Sequence, residues 1–183
     1  MDNPRCRSFD NAYCRSSILG RNEKDTKVQE ADKGKENVMI IRKMKKTDIP
    51  ACGGILMAVY NNELWQCRWT KETSESYLTD FFEHKKFVGY VAEEENAIVG
   101  ALFAHEKIWW NNSEVFIEEM FVSPEKQGKG IGTALIYETE KYIKEKGLAG
   151  ITLTTNKYAP APKFYRKNGF SECGHVMFMA KEM

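Results

Sequence analysis

What most limits the folds open to this chain is a change of apolar period that recurs from Met39 to its end. "MIIRKM" reads as a first strand. Thr47 is placed to cap a helix reaching about Asn61, with Asp48 and Pro50 where a first turn accepts them. Thr70 starts a second helix through "KETSESYLTDFFEH". "KFVGYVAEE", "AIVGALFAHEKIW" and "SEVFIEEMFV" then follow as strand-like runs, the first two parted by polar Glu95 and Asn96, which is the pattern of an antiparallel meander. A third helix runs to about Lys146 and stops at Gly147. "AGITLTT" is another strand, "APKFYRKNGF" a short helix ending at Gly169, and "CGHVMFMAKEM" a last strand. The order β-α-α-β-β-β-α-β-α-β predicts an α/β chain with a mixed sheet and helices on its faces.

Residues 1 to 37 lack any such period. They are polar and charged, and are expected to be a disordered tail ahead of a domain spanning 38–183, because so little apolar surface does not offset the entropy lost on ordering. With 183 residues, 42% hydrophobic content and a formal charge of +1, the chain suits one domain with a real core and has no global attraction for nucleic acid. Cys6, Cys14, Cys52, Cys67 and Cys173 are odd in number and never in C-x-x-C spacing, which favours free thiols in a reducing compartment over disulfides or zinc. His84, His105 and His175 show no metal spacing either, so no metal is expected, and each reads as a surface or strand histidine. No apolar stretch is long enough to cross a bilayer, and the cytoplasm is the expected compartment.

The stretch "EEMFVSPEKQGKGIGTALI" (118–136) carries the chemistry. Gly128, Gly130 and Gly132 join a strand to a helix, where unpaired backbone N–H groups and the positive end of the helix dipole attract an anion such as phosphate. A Walker A loop is excluded because Lys129 precedes Gly130. A dinucleotide fingerprint beginning at Gly128 would need glycine where Thr133 stands. A plain connecting turn remains the bland alternative.

At these residues the chain resembles the GCN5-related N-acetyltransferase (GNAT) superfamily. Gln127-Gly128-Lys129-Gly130-Ile131-Gly132 matches its acetyl-CoA loop, [QR]-x-x-G-x-[GA], and Asn156 followed by Phe164-Tyr165-Arg166-Lys167-Asn168-Gly169-Phe170 matches its C-terminal pattern. The resemblance implies a mixed, mostly antiparallel twisted sheet of about six or seven strands. Helices would cover both faces, and a splay between the fourth and fifth strands (about 114–122 and 149–155) would admit the pantetheine arm of acetyl-CoA. It further implies that amides from Gln127 through Gly128, Lys129, Gly130, Ile131 and Gly132 to Thr133 hold the diphosphate. Main-chain groups of Met120, Phe121 and Val122 would line the pantetheine, with Asn156, Phe164 and Tyr165 closing the other side. The sequence departs from the pattern at "NKYAPAP", where Pro160 and Pro162 flank a helix start and Tyr158 replaces an asparagine.

Amine attack on a thioester needs a neutral amine, hence a base, and the departing thiolate gains from an acid, while the developing oxyanion wants an N–H donor such as that of Met120 or Val122. Glu118 and Glu119 are the candidate bases and should face opposite sides of the strand, unless a bulge changes the parity. Glu118 is preferred because relatives carry a glutamate four residues before the closing valine; the alternative is that both carboxylates simply pair with nearby cations. Tyr165 is the candidate acid, with core packing as its alternative. Trp65, Trp69, Trp109 and Trp110 are candidates for an aromatic wall at the substrate entrance or for packing. The expected partner is a small cationic amine, polyamine or aminoglycoside-like, with neither nucleic acid nor membrane involved and a homodimer compatible. A protein amino group as acceptor, or a non-catalytic acyl-CoA-binding module, are the alternatives.

Overall fold

The computed structural model describes residues 38–181. The expected tail, with Cys6 and Cys14, lies outside the described residues. Strand β1 (Ile40–Lys43) leads through a 3-10 turn (Lys46–Asp48) into α1 (Ile49–Tyr60), and α2 (Lys71–Phe82) follows. Next come β2 (Phe87–Glu94), β3 (Ala97–Lys107) and β4 (Glu114–Val122), then α3 (Ile131–Lys146), β5 (Ile151–Leu153) and α4 (Ala161–Lys167). Among the described residues the sheet has five strands in the order β1-β2-β3-β4-β5, all neighbours antiparallel except the parallel pair β4-β5.

Both faces of the sheet are covered, which is why β3 reads as a continuous apolar run, buried at every residue from Val99 to Ala104. Leu102 and Ala104 point toward α3 and pack with Ile131, Leu135 and Ile143. Ala101 and Phe103 point the other way, into a cluster with Leu56 of α1, Leu78 of α2 and Phe121 of β4. Each large side chain so buried stabilises the fold by roughly 1.5–3 kcal/mol.

Local signals explain most element ends. Thr70 Oγ1 accepts the Thr73 N–H at 3.2 Å and caps α2, and Gly147, in the left-handed region, closes α3. Pro160 and Pro162 sit at the start of α4, where they are tolerated. Thr47, the expected cap of α1, lies inside the 3-10 turn, and Asp48 takes the cap position instead. The Asp48 carboxylate also binds the Arg42 guanidinium through both oxygens, at 2.7 and 3.0 Å, and accepts the Lys45 N–H at 2.7 Å, so it ties β1 to α1.

Two expectations on strands need correction. The strand expected over 149–155 is reduced to Ile151–Leu153. The last strand expected over 173–183 is not formed within 173–181, so five strands replace six or seven. The apolar run Val176–Met179 resembles a strand in composition, yet it does not alternate and its side chains lie 66–85% exposed. Apolar content alone does not make a strand without a paired edge and a face to bury.

Candidate active site

The site is organised by two breaks in regularity on β4. Pairing with β5 covers Val115↔Ile151, Phe116↔Thr152 and Ile117↔Leu153 and then ends, while β4 runs on to Val122. The strands therefore part beyond Ile117. At the same place the register with β3 shifts: Ala104 pairs with Ile117 but Phe103 pairs with Glu119, leaving Glu118 as an extra residue. Such a bulge re-aims side chains.

The expectation that Glu118 and Glu119 face opposite sides is thereby overturned, because the bulge turns both toward α1 and α2. Glu119 is half-buried, and its two oxygens accept the hydroxyls of Tyr60 at the end of α1 (2.9 Å) and Tyr77 in α2 (2.7 Å). Glu118 is 28% exposed, and its Oε1 lies 3.2 Å from His105 Nδ1. Burial raises the Glu119 carboxyl above its ordinary value while the two phenol hydrogen bonds oppose the rise. The phenols of Tyr60 and Tyr77 are held well above their usual range by burial, then by the Glu119 charge.

Tyr165 is packed between Phe164 and Phe170, with both ring centroids 5.3 Å away. Burial, with a further push from the Glu119 charge, moves its phenol up to about 12, so it stays protonated and able to donate at neutral pH. That influence brings Tyr165 and Glu119 into one electrostatic neighbourhood, while the packing and acid roles both remain compatible with the ring's position.

The glycine loop divides its labour. Gly128 and Gly130 have φ of 76° and 84°, and a Cβ at either would meet nothing within 4 Å, so these two supply left-handed backbone beside open space. Gly132 is different: a Cβ there would stand 3.0 Å from the Phe164 ring, so this glycine lets α4 close on the first turn of α3. No side chain caps α3, whose first N–H groups have no partner within the helix. The expected donor range loses its first member, because the Gln127 N–H donates to the Pro124 carbonyl at 3.4 Å; unblocked donors, positive dipole and open space fit the diphosphate of coenzyme A at Gly128–Thr133. Gln127 also braces the strand end, its Nε2 donating to the Val122 carbonyl at 3.1 Å. Met120 and Val122 turn their side chains to the α3 face and Phe121 to the opposite one. Asn156 holds a turn, its Oδ1 accepting the Tyr158 N–H at 3.0 Å and its carbonyl the Ala159 N–H at 3.1 Å.

The α1-α2 loop is clasped by Asn61, whose side chain both donates to the Trp69 carbonyl and accepts the Trp69 N–H, each at 2.8 Å. Trp69 is thereby set against Tyr77 (4.8 Å) and Trp65 against Tyr60 (5.3 Å). Trp109 and Trp110 lie on the β3-β4 loop, 50% and 74% exposed, with the Lys107 ammonium 6.0 Å from the Trp109 ring centroid. Tyr60, Tyr77 and His105 were not singled out as site residues by sequence. Their importance arises from contacts across 59, 42 and 13 residues, for which no local pattern exists. Among the described residues, no group of three or more His, Cys, Asp or Glu side chains could hold a metal ion, and no helix is long and apolar enough to cross a membrane.

A sheet parted between parallel strands, with a glycine loop opening the helix that follows, defines an acyl-CoA transferase fold, and the protein belongs to the acetyltransferase (GNAT) family, whose model matches residues 56–170. Streptothricin acetyltransferase of Streptomyces lavendulae is 39% identical over 64 residues, 34% of this chain and 34% of that protein. Streptothricin acetyltransferase A of Bacillus subtilis (strain 168) is 28% identical over 128 residues, 64% of this chain and 71% of that protein. The chain thus spans about a third of the length of the first of these relatives. An aminoglycoside N-acetyltransferase solved in complex with CoA shares the fold, with a TM-score of 0.64 at 20% identity, covering 80% of this chain and 96% of that one.

Proposed function

We propose that the protein is an acetyl-CoA-dependent N-acetyltransferase acting on a small cationic amine of the polyamine or aminoglycoside class, in the cytoplasm. The observation that carries this reading is the pair of carboxylates turned to one side of the parted sheet, beneath an aromatic wall. Trp65 and Trp69, each against a tyrosine that holds Glu119, narrow that side, which favours a small amine over a peptide. The relatives named for streptothricin and aminoglycoside acetylation point the same way. The free thiols of Cys52, Cys67 and Cys173 suit a reducing compartment.

Acetyl-CoA supplies the activated acyl group. The amides of Gly128–Thr133 would hold its diphosphate, and the parted edge of β4 at Met120–Val122 would offer main-chain groups to the pantetheine and an N–H to the developing oxyanion. Glu118, partly open to water, takes a proton from the substrate ammonium directly or through one water, so that the neutral amine attacks the thioester carbonyl. Glu119, fixed by two phenols, sets a negative potential that favours a cation. Tyr165, kept neutral, donates its proton toward the sulfur as the thiolate leaves.

The test is release of free thiol from acetyl-CoA across a panel of small amines and peptides, repeated on Glu118→Gln. Turnover with small cationic amines, and a kcat for Glu118→Gln lower by about 10²-fold, is expected. Turnover with peptides alone, or cofactor binding without any turnover, would overturn the reading.

A further inference from the structure

Two consecutive asparagines shape the loop between α1 and α2. Asn61 directly follows the last residue of α1, with its N–H donating to the Met57 carbonyl at 2.9 Å. Its side-chain amide meets the backbone of Trp69, donating to the carbonyl and accepting the N–H, each at 2.8 Å. Trp69 precedes Thr70, the cap of α2, so this amide ties the end of one helix to the start of the next. Asn62 folds the stretch between: its Oδ1 accepts the N–H groups of Leu64 (3.0 Å) and Trp65 (3.1 Å), its Nδ2 donates to the Val59 carbonyl at 2.7 Å, and its own carbonyl accepts the Gln66 N–H at 2.8 Å. Half-buried Trp65, Cys67 and Trp69 alternate with exposed Gln66 and Arg68, the period of an extended strand. At Trp69 the Asn61 amide takes the place that a neighbouring strand's backbone would fill.

The tie reaches the site through ring contacts. Trp69 packs on Tyr77 at 4.8 Å and Trp65 meets Tyr60 edge-on at 5.3 Å, and these are the two phenols that hold Glu119. We propose that Asn61 is a positioning residue for the amine substrate: its paired hydrogen bonds to Trp69 hold the α1-α2 loop in its binding shape before the amine arrives, and so determine amine affinity and the preference for small amines over peptides. The proposal rests on the small-amine reading above. Asn61 acts through Trp69 and Tyr77 and takes no part in proton transfer.

Residues 61–70 join the two helices without a helix or strand of their own. An untied connection of that length samples many shapes, and ordering it when the amine binds subtracts from affinity. The Asn61 clasp removes that cost in advance. Both of its hydrogen bonds are exposed, so water replaces them when the side chain is deleted and the fold persists. The coenzyme A groups lie elsewhere, at the start of α3 and along the end of β4, which the clasp does not touch. Its loss therefore weakens the amine and spares the cofactor, and a loosened loop admits bulkier acceptors.

The test is steady-state kinetics of the full chain with its best small amine and with a lysine-containing peptide. The wild type is compared with Asn61→Ala, Asn61→Gln, Trp69→Ala and the double variant of Asn61→Ala with Trp69→Ala, each checked for folding by circular dichroism. Asn61→Ala is expected to raise KM for the amine about tenfold, to leave kcat and KM for acetyl-CoA within about twofold of the wild type, and to lower the ratio of small-amine to peptide kcat/KM. Asn61→Gln carries the same donor and acceptor one methylene further out and should recover part of the loss. Because Asn61 acts through the Trp69 ring, Trp69→Ala should raise the amine KM by itself, and Asn61→Ala should add less than about threefold in that background. An amine KM for Asn61→Ala within about twofold of the wild type, an equal rise in KM for acetyl-CoA, or the whole effect repeated in the Trp69→Ala background would overturn the proposal and leave the small-amine reading intact. A wild type that turns over peptides alone would instead remove that reading and this proposal with it.

Discussion

Replacing Tyr77 by phenylalanine deletes one hydroxyl 2.7 Å from an oxygen of the half-buried Glu119, leaving Tyr60 at 2.9 Å as the other donor. A hydrogen bond to a charged group contributes about 1.5–3 kcal/mol when removal leaves its buried partner unsatisfied. The loss has a ceiling, because Glu119 can take a proton instead. From the ordinary carboxyl value of 4.5, neutralising it at pH 7 costs ~3.4 kcal/mol, and burial, which already raises it, lowers that cost. Tyr77→Phe should therefore cost about 2 kcal/mol at pH 7, and the double variant with Tyr60→Phe should cost less than the sum of the singles. A folded-state carboxyl raised above its unfolded value favours the fold at low pH and loses that advantage as pH rises. Removing a phenol donor raises Glu119 further, so the deficit should widen from pH 5 to pH 8. Urea unfolding of the wild type and the three variants at both pH values measures this. A Tyr77→Phe deficit under about 0.5 kcal/mol at pH 8, equal to that at pH 5, would refute the reasoning.

Three further outcomes follow from other contacts. Asp48→Asn breaks the two-pronged contact with Arg42 and should cost about 2 kcal/mol at pH 7, discounted because Arg42 is part-exposed and keeps Glu93. Arg42 first, then the Lys45 N–H, hold Asp48 below its ordinary 3.8 against the opposing cost of burial, so this stabilisation is lost as pH falls below about 3.8 and the gap between variant and wild type should narrow there in denaturant titrations. Tyr165→Phe should lower kcat by about 10²-fold while leaving coenzyme A affinity unchanged in calorimetry; full turnover would return Tyr165 to packing alone. Gly130→Ala has open space for its methyl group but a left-handed backbone, so thermal melting should show a loss of about 1 kcal/mol together with weaker cofactor binding.

The architecture was legible in the sequence wherever a local pattern forces an element. Thr70 and Gly147 announce a cap and a stop, and the apolar run of β3 up to Ala104 announces a strand. The run Val176–Met179 reads as a strand and does not form one, because apolar content does not say whether an edge is available to pair with. At the site, the glycine loop was legible because left-handed backbone at Gly128 and Gly130 demands glycine, although the packing of Phe164 on Gly132 was not. The direction of Glu118 was beyond sequence reasoning, since a one-residue bulge inverts parity and its cause lies in register with β3. Tyr60 and Tyr77 leave no signal in the sequence, and His105 reads there only as a surface or strand histidine, for a related reason: each meets its partner across a long stretch of chain, and a tyrosine or histidine looks the same with or without one.

The backbone donors at the start of α3, holding a diphosphate, are what every later step of acetyl transfer depends on. Titration calorimetry comparing coenzyme A with pantetheine, which shares the thiol arm and lacks the phosphates, tests this directly. Coenzyme A should bind at least about a hundredfold more tightly. Equal affinity for the two, or no binding of coenzyme A, would contradict the account.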